Sequence, residues 1–191
     1  MITTGQSITN PVTGETLVFR KTSADTNGEA VVVEAFVEPN GAVAAAHVHP
    51  AQDERFDVIA GELEFRVGKQ TILAKPGDRL LVPAGTPHQF RNVGDETAEF
   101  VCEVRPALGF EQLVETMFTL AADGKVNRKG MPNPLRLAVI AQHHFGDVRL
   151  PFPPVWLQRL GLALGASLGR LLGFRPTYEP AEPKAPTALG V

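Results

Sequence analysis

Only one cysteine, Cys102, occurs among the 191 residues, so no internal disulfide can brace the fold. A lone thiol fits a reducing compartment, and the expected location is cytoplasmic. Positive charge is also scarce. Eighteen Lys and Arg against 21 Asp and Glu leave a net charge of −3, which gives no electrostatic case for a nucleic-acid partner. No basic helix-turn-helix segment is present either. The opening residues Met-Ile-Thr-Thr-Gly-Gln-Ser lack both the basic region and the apolar run of a secretory signal. Uncharged apolar runs fall short of the ~20 residues that span a bilayer. What is present, 43% hydrophobic and 20% charged residues, fits one soluble globular domain with decoration and a sizeable core.

The first hundred residues read as short strands punctuated by glycine and proline. Residues 6–22 form two strands around Asn10-Pro11-Val12-Thr13-Gly14, and Asn27-Gly28 is a hairpin signal before a valine-rich strand over 29–38. Leu63, Phe65 and Val67 alternate with polar residues, and Gly68-Lys69 turns the chain into 70–74. Residues 79–82, 87–92 and 97–105 supply three more strands, and the even spacing argues for an all-β sandwich or barrel. At Pro106 the character changes. Phe110, Leu113, Val114, Met117, Phe118 and Leu120 fall at helical spacing over 109–122, and Asp123-Gly124 stops that helix. Asn133-Pro134 starts a second helix, running to about Phe145. The stiff Pro151–Pro154 connector leads to an apolar helix over 155–172, capped by Gly173. The Pro-, Ala- and Glu-rich stretch from Pro176 reads as a mobile tail.

Within the strands lie two clusters that carry chemistry. His47 and His49 are two residues apart, so on an extended chain both imidazoles aim to one side. Glu54 has the wrong parity to join them on one unbroken strand, but Pro50 breaks the strand, and a turn at Pro50-Ala51-Gln52 can bring the carboxylate back. His88 opens a later strand, after the turn Pro83-Ala84-Gly85, where it can complete a set of three histidines and one glutamate. Such a set suits a divalent first-row metal.

These residues resemble the two motifs of the cupins. Gly41, His47, His49, Glu54 and Gly61 match the first motif, and Gly77, Pro83, Gly85, His88 and Asn92 the second, over roughly residues 30–105. The resemblance implies a small jelly-roll β-barrel, so the expected fold is mainly β with a C-terminal α-helical extension. The expected division is a cupin barrel over 1–106 (motif core about 30–105), a helical extension over 107–175 and a mobile tail over 176–191. It also implies a homodimer, and the strands before Gly28 could extend a sheet across its interface.

The expected metal ligands are His47, His49, Glu54 and His88, holding one divalent transition metal ion, with Fe, Mn, Ni, Co, Cu and Zn not distinguished. The competing reading of the four is a satisfied polar core in a barrel without metal. Four protein ligands on an octahedral ion leave two open positions, enough for a substrate beside dioxygen, whereas a tetrahedral Zn would be closed. The leading expectation is a dioxygenase-type oxidoreductase acting on a small molecule. The alternatives are a redox-silent metal-dependent isomerase or lyase, and a small-molecule-binding cupin without turnover. No further acid or base stands out. His143 and His144 read as helix C-terminal cations, Cys102 as a small core residue, and Phe56, Phe65 and Phe90 as barrel filling. Arg55 and Asp57 should face outward.

Gly161, Gly165, Gly169 and Gly173 recur every four residues on the last helix, and each interior glycine costs about 1 kcal/mol relative to alanine. Close packing on the earlier helices, the barrel or a second subunit is the favoured explanation. A membrane-surface anchor over 155–172 is the other, and the favoured reading leaves the protein in the supernatant when mixed with liposomes.

Overall fold

The computed structural model describes residues 2–180. Nine antiparallel strands come first: β1 (Ser7–Asn10), β2 (Glu15–Lys21), β3 (Val31–Val37), β4 (Asp53–Ala60), β5 (Leu63–Val67), β6 (Gln70–Ala74), β7 (Arg79–Val82), β8 (His88–Asn92) and β9 (Ala98–Arg105). Three helices follow: α1 (Phe110–Ala122), α2 (Pro134–His143) and α3 (Val155–Leu171). The strands make a six-stranded sheet of order β1-β2-β3-β9-β4-β7 and a three-stranded sheet of order β6-β5-β8, a jelly-roll arrangement in which the sheets do not close into one ladder. Strict alternation places Val31, Val33, Ala35 and Val37 of β3 inward, as a strand with one buried face requires. Phe56, Phe65, Phe90 and Phe100 converge between the sheets with ring centroids 5.0 to 6.4 Å apart, mostly edge to face.

Turn chemistry sets the registers. Asn27 and Gly28 both take positive φ, 51° and 82°, between β2 and β3. Gly61, at φ 77°, lies so close to β9 that a Cβ would sit 2.6 Å from Ala98 Cα. Asn92 is buried, its amide donating to the Val37 and Glu96 carbonyls and its oxygen accepting from Gly94 N–H. The segment between β3 and β4 is not a regular strand. Single bridges pair Ala42 with Arg91 and His47 with His88, laying that segment beside β8.

One inward position is a carboxylate. Glu15, at the start of β2, lies opposite Asn10 and Val37, and burial pushes its pKa from 4.5 up to about 7. An acid with a raised folded pKa contributes stability fully below its unfolded value and loses it as pH rises toward the folded one. Glu15→Gln is therefore expected to match wild type near pH 4.5. At pH 8 it should be more stable by up to about 3 kcal/mol, from ~1.4 kcal/mol per pKa unit. Urea unfolding at the two pH values checks this, and an equal difference at both contradicts it.

The helices divide their attachments. α1 lies against β1, and its Phe110 and Phe118 join the barrel core. α2 starts as its sequence predicts, with Asn133 Oδ1 accepting from Leu135 N–H at 2.9 Å, and ends at His143. α3 packs on α2 through Ala166 and Gly169 against Ala138 and Val139, a small second core. The glycine spacing is thus explained in part. A Cβ at Gly169 would lie 2.5 Å from the Leu135 carbonyl oxygen, and one at Gly165 would lie 3.0 Å from Ala138 Cβ. At Gly161 a Cβ would meet nothing within 4 Å. Beyond α3, the Tyr178 amide donates to Thr116 Oγ1 of α1 at 3.1 Å. The remainder of the expected tail, from residue 181, lies outside the described residues. Among those residues no helix is long and apolar enough to cross a membrane.

Candidate metal centre

The four singled-out side chains meet at one end of the sandwich. Glu54 enters from the start of β4, held between Val82 of β7 and Val104 of β9. His88 enters from the start of β8. His47 is stitched beside it by two backbone hydrogen bonds of 2.9 and 3.0 Å, and His49 follows two residues on. One donor atom from each of the four lies within 4.8 Å of the others. Glu54 Oε2 is 2.6 Å from His88 Nε2, and Glu54 Oε1 is 3.5 Å from His49 Nε2. His49, Glu54 and His88 are buried, while His47 keeps part of its surface open.

Each imidazole is oriented from behind. His47 Nδ1 faces the Ala45 carbonyl at 2.9 Å, and His88 Nδ1 faces the Thr86 carbonyl at 3.0 Å. His49 Nδ1 faces the Asp147 carbonyl at 2.7 Å and Gln52 Oε1 at 3.0 Å. A carbonyl can only accept, so each Nδ1 carries the proton and donates. In the neutral rings Nε2 is then a lone pair aimed into the cluster, the arrangement seen behind metal-ligating histidines.

The charges are poised in the same sense. Burial pushes Glu54 up, but the His88 hydrogen bond and the charges of the three imidazoles outweigh it and leave the carboxyl at about 2. Burial, together with His88 and His49, pulls His47 down to about 4 against the pull of Glu54, so its ring is neutral at ordinary pH. For His88 burial acts downward, yet hydrogen bonding and charge from Glu54 prevail and raise it. The cluster is one buried carboxylate among three rings, of which His47 is shifted down and His88 up. The one group among the described residues that faces buried Glu54 Oε2 is His88 Nε2 at 2.6 Å, which can donate to it only when that ring carries a proton on Nε2. A cation at the shared focus would satisfy that oxygen and the three Nε2 lone pairs together, so the residues present fit a metal ion.

Three supporting groups escape a reading of the sequence. Gln52 is buried, accepts from His49 and donates to the Pro106 and Ala107 carbonyls at 2.9 Å each. Asp147 supplies its main-chain oxygen to His49 from the far side of α2. His144 is not the solvated helix-end cation expected from its position. It is fully buried, donates through Nδ1 to Asp147 Oδ2 at 2.9 Å, and burial pulls its pKa down despite the carboxylate. A Cβ on Gly109 would collide with that pair, so the glycine is required for His144 and Asp147 to seat. Val48 and Arg149 exchange backbone hydrogen bonds of 2.8 and 3.0 Å, which fixes the 144–149 loop against the histidine segment. A main-chain oxygen leaves no trace in the sequence, and the inward turn of His144 depends on how α2 docks.

The other residues fall where their sequence context places them. Cys102 is buried and its thiol is held well above the ordinary range by burial, so it is inert core. Arg55 is exposed, and Asp57 pairs with Arg79 at 3.1 Å on the outer face. Phe56 and Phe90 lie two residues along β4 and β8 from Glu54 and His88, on the same strand faces, and the phenyl rings fill the space between the sheets.

A family model described as a cupin domain matches residues 28–104. The chain is 37% identical over 60 residues to "Polyketide synthase CurC" of Streptomyces cyaneus, covering 31% of this chain and 39% of that protein. It is 35% identical over 81 residues to "Protein SchB" of Streptomyces halstedii, covering 40% and 59%. These matches therefore span 39% to 59% of the curated relatives' own lengths. Among solved structures it is similar to a sugar phosphate isomerase from a cupin superfamily of Silicibacter pomeroyi, at 26% identity and TM-score 0.43, covering 48% of this chain and 59% of that one. It is also similar to a structure described as a predicted oxalate decarboxylase of Thermotoga maritima, at 19% identity and TM-score 0.49, covering 56% and 99%. Through residues 28–104 this chain belongs to the cupin superfamily.

Proposed function

We propose that His47, His49, Glu54 and His88 hold one divalent transition metal ion, and that the protein uses it on a small molecule as a dioxygenase-type oxidoreductase. The observation that supports this is the convergence of three Nε2 lone pairs and one buried carboxylate on a single point. Bound there, the ion would supply Lewis-acid activation of an oxygen-bearing substrate and redox chemistry toward dioxygen. The chain's own part is to fix the three rings through the Ala45, Thr86 and Asp147 carbonyls and to keep water from below with the phenyl layer. Because that layer fills the interior, the substrate approaches from the partly open side at His47 and is small. The same reading takes 1–106 as the barrel, 107–175 as the extension and 176–191 as the tail, in a cytoplasmic homodimer.

Oxygen uptake by metal-loaded protein with candidate substrates tests the reaction class. Turnover without oxygen consumption supports an isomerase or lyase instead. A small molecule that raises the melting temperature and is recovered unchanged supports a binding protein. The support behind His49 gives a sharper expectation. Gln52→Ala removes a side chain that accepts from His49 and anchors to two carbonyls, and is expected to weaken metal affinity roughly 10- to 100-fold, as loss of an outer partner does. Competition with a chelating dye measures this, and wild-type affinity would refute the orienting role.

A further inference from the structure

Packing on α2 accounts for one face of α3 and leaves the other bare. Trp156, Leu160, Leu164, Leu168 and Leu171 follow one another at helical spacing along the outer face, with Phe152 just ahead of them. Phe152 is 76% exposed, Trp156 68%, Leu164 69% and Leu171 84%. Nothing among the described residues covers them. A soluble monomer rarely leaves a contiguous apolar patch beyond roughly a few hundred Å² in water, and this one runs the length of a 17-residue helix. The favoured packing on an earlier helix is met on the α2 face and does not extend to this one.

The charge around the patch selects its occupant. Between Asp147 and Glu179 the chain has no acidic residue, while it has Arg149, Arg159, Arg170 and Arg175. The protein as a whole carries a net charge of −3, so this cationic stretch runs against its overall balance. Arg159 and Arg170 are exposed and border the leucine face, and Arg159 lies over the Phe145 ring at 5.5 Å. A long side chain at such a border can lay its methylenes on an apolar surface and keep its head in a polar layer. Trp156 and Phe152 stand at one end, where an apolar ring suits a boundary between oil and water. Two copies of this face brought together would oppose arginine to arginine with no acid in the segment to neutralise them. An anionic lipid surface supplies both halves of the complement, acyl chains for the leucines and phosphates for the guanidinium groups.

We propose that α3 is a membrane-surface helix, lying in the headgroup layer of an anionic bilayer with Phe152, Trp156 and the leucine face inserted. At 17 residues, with two arginines inside it, the helix lies on the surface and does not span.

The full chain is mixed with vesicles of phosphatidylcholine containing phosphatidylglycerol, and with vesicles of phosphatidylcholine alone. The chain has one tryptophan, Trp156, so its emission reports insertion of α3 directly. The expected result is sedimentation with the anionic vesicles, a shift of Trp156 emission to shorter wavelength, and quenching by brominated acyl chains. Leu160→Glu with Leu164→Glu changes only exposed positions and is expected to abolish all three while circular dichroism stays unchanged. Arg159→Gln and Arg170→Gln are each expected to weaken binding about fivefold, from ~1 kcal/mol per arginine near an anionic surface. Three results overturn the proposal. One is protein left in the supernatant with unshifted emission. Another is equal binding to the neutral vesicles. The third is a dimer that Leu164→Glu dissociates in protein that ignores lipid, which would assign the face to a second copy.

Discussion

His88→Ala and His47→Ala protein, purified without added metal or chelator, is expected to hold less than about a tenth of the metal that wild type holds. Loss of an outer partner already costs roughly 10- to 100-fold in affinity, and loss of a ligand removes a bond to the ion itself. Elemental analysis of the three proteins reads the result, and full occupancy in both variants would sink the ligand assignment. A complication attaches to His88, because its Nε2 is 2.6 Å from Glu54 Oε2 and its removal strips the buried carboxylate of a partner. An uncompensated buried charge costs about 3–5 kcal/mol, so His88→Ala could lose metal merely by loosening the barrel. His88→Gln keeps a neutral donor near Glu54 and separates the two effects. It should melt cooperatively and still lack metal. Chelation provides the converse check. A ligand present at ~1,000 times its dissociation constant stabilises by about 4 kcal/mol, so wild type should lose melting temperature on chelation and His88→Gln should not. A polar core without metal would show no response to chelator in either protein.

The second large effect is expected in the extension, where neighbouring glycines should respond with opposite signs. Gly169→Ala places a Cβ 2.5 Å from the Leu135 carbonyl oxygen and 2.7 Å from Val139 Cγ2. Neither atom is the end of a flexible side chain, so α2 and α3 must part, and overpacking of this kind costs about 1–3 kcal/mol. The small core of Ala138, Val139 and Ala166 is lost with it, which places the result toward the upper end. Gly161→Ala meets nothing within 4 Å and should stabilise by about 1 kcal/mol through helix propensity alone. For a chain of this size each kcal/mol moves the melting temperature by about 2–4 °C. Scanning calorimetry of the two variants decides it, and shifts of the same sign would show that the glycine spacing has no packing origin.

The barrel was legible because its information is local. Gly28, Gly61 and Gly85 take positive φ at the turns where the sequence puts them, and alternation alone sorts the faces of β3 and β9. Bringing His47, His49, Glu54 and His88 together was legible too, since two imidazoles at i and i+2 and a proline break specify a shared direction without knowledge of the sheet. What escaped is long-range. Nothing about His144 distinguishes it from its exposed neighbour His143 until α2 is docked and one of the two is turned inward. The Asp147 carbonyl is a main-chain atom, which any residue would provide, so its contact with His49 is a property of the docked loop and not of a residue type. The glycines of α3 predicted a close neighbour but not which helix, and three of the four signals looked equivalent although Gly161 packs on nothing.

The pairing of Val48 with Arg149 has a consequence for the order in which the protein is made. The four converging side chains are all synthesised by residue 88, yet His49 finds its main-chain acceptor only in the segment around residue 147. A nascent chain that has emerged through β9 can close its strands and gather the cluster, but the His49 ring then has only Gln52 behind it and lacks its shorter, main-chain acceptor. Completion waits for about forty more residues, and then for α2 to swing its end loop back over the strands. With the ion proposed above, full affinity would be reached only once the segment around residue 147 has been made, and a chain stalled or cleaved before it would present folded strands with a weakened grip on that ion.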